Sequence, residues 1–413
     1  MKSLRLIFLA VLLGASAFFS YKIYQQEKLN QSLTDDLIEL SDIKYGLFNV
    51  DEWKSVFADV IATKMNDFNI ENTDEEALKK EISAFLVKAI DGFEKRYTGG
   101  SGGGISGFFK KSISSMTGIF DQVKKDIPLF TDQIYDFLTG DNSQVMLKQY
   151  LETQLDAYTK DSFLATDYTY MNYIIKKHEG TDKVDTTIII EDKITENNAN
   201  KDMYNYAILA MFVIAVLLLF FFKEKNNVEF MLFTFYALLL LALGVFLPMI
   251  AIDARISELN FPFLGETIQF KDQVLFYKSK SIMEVVELMM AQNRMDLFFV
   301  GGLVFLFSIL FPLSKLIAST IYTFSDILKK NKVINFLVFK TGKWSMADVF
   351  VIAMFMAYLG FDGLITEQLN QLQTLTKSTA VLTTNNSGLL FGFYAFTGFV
   401  LFSLFLSQKM KKS

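Results

Sequence analysis

The chain has 413 residues, 51% of them hydrophobic and 21% charged, with a formal net charge of −5, no Cys and one His. Its mean hydropathy of +0.29 is high for a soluble domain, and its charge content is high for a pure membrane bundle, so two kinds of segment are mixed. Zero Cys excludes disulfide frameworks, thiolate metal sites and Cys nucleophiles, and the lone His178 argues against imidazole metal sites and Ser-His-Asp catalysis. With no nucleotide motif and no nucleophile–base pair, no catalytic residue, cofactor or metal site is assigned, and no enzyme is expected.

The expected fold class is mainly α, a polytopic helical membrane protein. A bilayer core takes about 20 apolar residues per helix, and six runs qualify: Ile7–Tyr21, Tyr206–Phe222, Phe230–Ile252, Leu297–Ile321, Met346–Ile365 and Leu389–Leu406. In the first, Lys2 and Arg5 precede a short apolar core, and Ala15-Ser16-Ala17 resembles a signal-peptidase site. The run continues unbroken through Phe18–Tyr21, which favours a signal anchor over residues 1–22, a cleaved signal peptide being the alternative.

Residues 23–203 form an acidic segment of about −12, leaving about +7 for the rest of the chain. Lysines cluster in the turns at Lys223 and Lys225, at Lys329–Lys343 and at Lys409–Lys412, whereas the loops 253–296 and 364–388 carry fewer basic residues. The positive-inside rule therefore puts both termini in the cytoplasm and 23–203 outside. Nucleic acid is not an expected partner of an acidic, exported domain.

That domain reads as mostly helical. Trp53, Phe57, Val60, Ile61 and Phe68 share one face, as do Leu78, Ile82, Phe85, Ala89 and Phe93. The series Phe109, Ile113, Met116, Phe120, Val123, Ile127, Phe130, Ile134 and Phe137 predicts a long amphipathic helix that Pro128 ends or bends. Gly99–Gly104 lacks the Gly-Lys-Ser/Thr ending of a phosphate cradle and reads as a linker. A short helix is expected from Gln144 to Tyr158. The Tyr, Thr and Ile content of Asp167–Ile175 and Asp185–Ile194 suggests strands around a solvated turn at His178–Lys183.

Residues 204–229 then supply a second spanning helix and a short cytoplasmic turn. Beyond them, loop 253–296 has strand character at Thr267–Tyr277 and an amphipathic helix at Ile282–Met290. Segment 327–339 is basic and amphipathic, suited to an anionic leaflet. Pro248 and Pro312 are expected to kink helices or start local unwinding. Lys315 lies inside an apolar run, which costs several kcal/mol unless it snorkels, pairs or lines a wet cavity. Asp348 opens the next run from the same side, at similar depth. The two therefore face each other in a candidate polar site, extended by Ser345, Ser308, Ser314, Ser319 and Thr397. In the structural alternative Lys315 snorkels, Ser345 and Asp348 make a capping-box variant, and the hydroxyls are packing contacts.

Two stretches are distinctive: Phe311-Pro312-Leu313-Ser314-Lys315, and Gly342-Lys343-Trp344-Ser345-Met346-Ala347-Asp348-Val349-Phe350. Their order and spacing, with Leu247-Pro248 before them, resemble the paraquat-inducible protein A family of bacterial inner-membrane proteins, as one four-helix module at 230–413. Trp344 and Phe350 belong to its most distinctive part. The resemblance implies a role in moving lipid across the Gram-negative envelope, with membrane lipids and an MCE-type periplasmic protein as partners. The chain departs from the family in having one module where many members have two, in lacking the Cys-x-x-Cys zinc ribbons, and in residues 1–229. A homo-oligomer would supply a second module. A membrane-anchored scaffold for a periplasmic complex is the alternative function. A secondary transporter is a weaker one, because internal repeats are absent.

Overall fold

The structure is a computed structural model, and it describes residues 2–42, 45–46, 49–65, 74–97, 121–140, 144–159, 167–221, 227–292, 294–324, 332–339 and 380–412, together with scattered positions between 353 and 367. Helices dominate. Five of those described are long and apolar enough to cross a membrane, and each overlaps one of the first four expected runs or the last. The chain is a mainly α-helical, polytopic membrane protein. The remaining expected run, Met346–Ile365, lies largely outside the described residues, as do Gly99–Gly104 and the first half of the Phe109–Phe137 series.

Two helices set the frame: α1 (Lys2–Leu40) and a later partner of equal length, Lys183–Phe221, both of 39 residues. Each is about 58 Å long, whereas the bilayer core takes about 30 Å. Their apolar ends lie side by side, with Leu4, Ile7, Val11, Leu209, Val213 and Leu217 turned outward toward lipid. Tyr21, Tyr24 and Tyr206 are exposed near one level, as a membrane-interface belt requires. Ala15-Ser16-Ala17 sits within α1, where the Ser16 hydroxyl donates to Met211 Sδ at 3.0 Å.

Past the belt the pair continues as a stalk. Asn30 donates to Asn198 at 2.6 Å, and Asn197 donates both to Asn30 and to the Gln26 carbonyl. Lys201 pairs with Glu27 at 3.0 Å. These polar contacts fix the register of two helices that would otherwise slide on apolar surface. Farther out, Leu33, Leu37 and Leu40 pack against Ile174 and Ile190.

This packing corrects one expectation. Asp167–Ile175 and Asp185–Ile194 are not strands: Thr169–Lys177 is a short helix, and Lys183 begins the 39-residue one. β-branched residues form helix here because Ile174, Thr186 and Ile190 fall on the buried faces, and burial outweighs their weak strand preference. Nor is His178 a solvated residue. It is buried at the end of its helix, Nε2 lying 2.8 Å from Asp36 Oδ2, with Lys177 on the same oxygen at 2.6 Å.

In chain order the other elements are α2 (Val50–Met65), α3 (Glu75–Tyr97), α4 (Ile127–Thr139), α5 (Gln144–Thr159), α6 (Thr169–Lys177), α7 (Lys183–Phe221) and α8 (Asn227–Phe246). Then come β1 (Ile250–Phe263), β2 (Glu266–Lys280), α9 (Ile282–Ala291), α10 (Met295–Phe305), a π-helical turn (Leu306–Leu310), α11 (Phe311–Phe324) and α12 (Lys332–Phe339). The described chain closes with β3 (Ala380–Asn385), β4 (Gly388–Leu389) and α13 (Phe391–Lys412). Pro128 does mark a break: the helical residues 121–125 stop at a turn, and the proline opens α4 in its first turn, where its missing N–H costs nothing.

The expected run Phe230–Ile252 divides between two kinds of structure. Its helix stops at Phe246, Pro248 terminating it, and the chain enters β1 at Ile250. β1 and β2 form a long antiparallel hairpin with β3 and β4 on β1's other side. The hairpin turns at Leu264 and Gly265, both with positive φ, and Gly265 takes the more open value at no steric cost.

The hairpin tip enters the head. Ile256, Leu259, Ile268 and Phe270 share a single core with Phe57 and Ile61 of α2, Leu78 and Ile82 of α3, Phe130 and Ile134 of α4, and Leu147 of α5. Lys64 clamps the tip through Glu266 at 2.7 Å. In the membrane half the core is aromatic: Phe233 and Tyr236 of α8 meet Phe396, Phe399 and Phe402 of α13.

Two outcomes follow. A Cβ on Gly244 would sit 2.6 Å from Phe396 Cβ, so Gly244→Val should force α8 and α13 apart and lower the thermal midpoint and monodispersity of the detergent-purified protein. Phe270→Ala should cost the head about 3 kcal/mol, read as faster limited proteolysis of the α2–α5 helices while the membrane half stays protected.

Candidate functional site in the membrane half

The chain between Met295 and Phe324 is helical throughout but does not keep one pitch. α10 passes into the π turn, in which the Phe311 N–H reaches back to the Leu306 carbonyl, and α11 follows. Pro312 supplies the cause. It has no N–H for the carbonyl of Ser308, and its ring would press on that group in a regular helix; a wider turn relieves the clash. A local widening of the helix thus accompanies Pro312.

The turn also sets which residues face inward. Ser308, Pro312, Lys315, Leu316 and Ser319 are all buried, and α11 packs against α8 and α12. Lys315 is 5% exposed, and among the described residues it has no hydrogen bond or ion pair. Ser308 is 1% exposed, and among the described residues its hydroxyl lacks a partner. A lysine at bilayer depth costs about 3 kcal/mol on insertion scales, and a buried hydroxyl without a partner adds roughly 1–3 kcal/mol. Two such groups on one face, beside a π turn, form a polar spot that the described residues leave unsatisfied.

The other expected members fare differently. Ser314 donates to the Leu310 carbonyl at 2.6 Å and Thr397 to the Phe393 carbonyl at 2.8 Å, so both hydroxyls are spent on their own helices. Ser319 is buried on the Lys315 face. Trp344, Ser345, Asp348 and Phe350 lie outside the described residues, so the Lys315–Asp348 pairing does too.

A second charged group in the membrane half was not legible in the sequence. Glu229, in the first turn of α8, is 3% exposed and lies 3.4 Å from Arg5 Nη2 of α1. The helix N-terminus favours its carboxylate. Lys409 of α13 donates to the Phe220 carbonyl at the same end, so α1, α7, α8 and α13 are tied together opposite the head. Each residue alone reads as a polar turn or a topogenic charge, and nothing in the local sequence couples positions so far apart.

Glu229 is buried while Arg5 is partly exposed, so removing Arg5 strands the carboxylate at a cost of about 1–2 kcal/mol, less than for a fully buried pair. Arg5→Ala should therefore lower the yield and melting temperature of the purified protein, and Glu229→Gln added to it should restore most of the loss. An unaltered Arg5→Ala protein would show that the pair carries no weight.

Residues 259–413 match the family model described as paraquat-inducible protein A, the family indicated by the Phe311–Lys315 and Gly342–Phe350 stretches. The match begins inside β1 and runs through the π turn, Lys315 and α13. No curated protein and no solved structure matches the chain.

Proposed function

We propose that the chain is an integral inner-membrane component of an envelope lipid-transport system, moving phospholipid between membranes together with an MCE-type periplasmic partner. The observation that carries this reading is Lys315: a buried cation without a described partner, beside the unsatisfied Ser308, in a segment that matches the paraquat-inducible protein A family. Such an ammonium favours an anionic group arriving from the bilayer, and a phospholipid phosphate is the anion a membrane offers in quantity. The exported side of the molecule, under this reading, is the head on its stalk, standing about 28 Å clear of the hydrocarbon core and presented to the partner.

The stalk and head also favour a second reading, in which the chain tethers a periplasmic complex without intramembrane chemistry. Lys315 separates the two. Lys315→Ala and Asp348→Ala are each expected to abolish complementation of a deletion strain in an envelope-stress assay while membrane insertion and co-purification with the partner persist. Lys315→Arg, which keeps the charge, should retain part of the activity. Full complementation by both alanine variants would overturn lipid transport through this site and leave the tether.

A further inference from the structure

Where α1 passes the foot of the hairpin, a cleft of about 160 Å³ opens between three elements. One wall is α1, contributing Gln31 and Asp35. The second is the end of β2, with Tyr277, Lys278 and Lys280, and the third is α9 with Glu284. The walls carry both signs of charge. Among the described residues neither Asp35 nor Lys278 has a hydrogen bond or a salt bridge, and Lys280 only approaches Glu284, at 3.9 Å. Glu284 is already engaged, accepting the Ser281 N–H in a capping box that holds the start of α9. Burial pushes the Tyr277 hydroxyl up to about 12, so it stays a neutral donor.

The cleft's position narrows its occupant. Its foot is at the end of α8, where the Met249 N–H bonds the Lys280 carbonyl. On α1, Ile23 packs at the level of Leu247, so Gln31 and Asp35 stand roughly 12 and 18 Å farther along the helix. The headgroup layer itself takes roughly 5–8 Å per leaflet. The elements that follow the cleft carry exposed apolar side chains: Leu288 and Met290 of α9, then Met295, Phe298 and Phe299 of α10. A simple anion would meet Asp35 and Glu284, and a simple cation would meet both lysines. A ligand bearing a phosphate and an ammonium satisfies both walls, and one with acyl chains suits the exposed apolar side chains of α9 and α10.

We propose that this cleft seats the headgroup of a zwitterionic aminophospholipid lifted partly out of the leaflet, its phosphate between Lys278 and Lys280 and its ammonium against Asp35. The proposal rests on the lipid-transport reading and names the class of lipid that reading would handle.

The test uses the full-length protein in vesicles of equal parts phosphatidylethanolamine and phosphatidylglycerol, with a photoreactive residue replacing the exposed Phe276 and mass spectrometry of the crosslinked adduct. The adduct should be enriched in phosphatidylethanolamine about tenfold, fall about tenfold in Lys278→Ala/Lys280→Ala, and lose its lipid preference in Asp35→Asn. Unchanged crosslinking in the lysine variant, or equal adducts with both lipids on the parent protein, would overturn it. Adducts abolished by inorganic phosphate at millimolar level would identify a free-phosphate site and overturn it as well. Asp35→Asn, which breaks no hydrogen bond or salt bridge among the described residues, keeps the test valid if the double variant is unstable. The readout needs neither partner nor transport, so its failure refutes the cleft alone, whereas full complementation by both Lys315→Ala and Asp348→Ala refutes the transport site alone.

Discussion

Everything in the molecule is arranged around the antiparallel pairing of α1 and α7, two helices of equal length that overshoot the bilayer by nearly its own thickness. In hydrocarbon their backbones are self-satisfied and their outward faces are apolar, so the membrane part needs little from sequence beyond length. Above it, water competes for every polar group, and the pair holds its register through Asn30, Asn197 and Asn198, whose amides find each other rather than solvent. That fixed register puts the start of α2 beside the start of α6, where the Tyr168 hydroxyl donates to Asp51, and the His178–Asp36–Lys177 cluster closes the top of the stalk.

The second dependence runs through the β1–β2 hairpin. A strand pair whose base is continuous with a membrane helix and whose tip is part of a water-side core makes the two halves one mechanical body. Pro248 is what permits it, ending α8 so that the chain can extend. The same hairpin furnishes the lysine wall of the charged cleft, so a movement of α8 against α1 would alter the cleft and the head together.

How much of this was legible in the sequence depends on whether the governing contact is local. Lys315 stood out because a charge in an apolar run is visible in one helix's worth of sequence, and the proline three residues before it announced the disturbed pitch. The helices of the head were visible from the spacing of Phe57, Ile61, Leu78 and Ile82. Asp167–Ile175 and Asp185–Ile194 misled, since Thr and Ile report strand preference locally while the decision lay with α1. Glu229 and His178 were unreadable for the same reason: their partners are Arg5 and Asp36, brought together only by the stalk and bundle. β1 hid at the end of an apolar run, where nothing but Pro248 signalled that helix had given way to strand.

The hairpin's place in the head has a consequence for biogenesis. The head helices end at Thr159, but Ile268 and Phe270, which complete their core, follow more than a hundred residues later and only after α7 and α8 have entered the membrane. At ordinary rates of chain elongation that gap lasts on the order of ten seconds. Throughout it the faces of α2–α5 that will receive the hairpin stand open to solvent, so each newly made chain passes through a stage that invites capture by holding chaperones or by another unfinished copy.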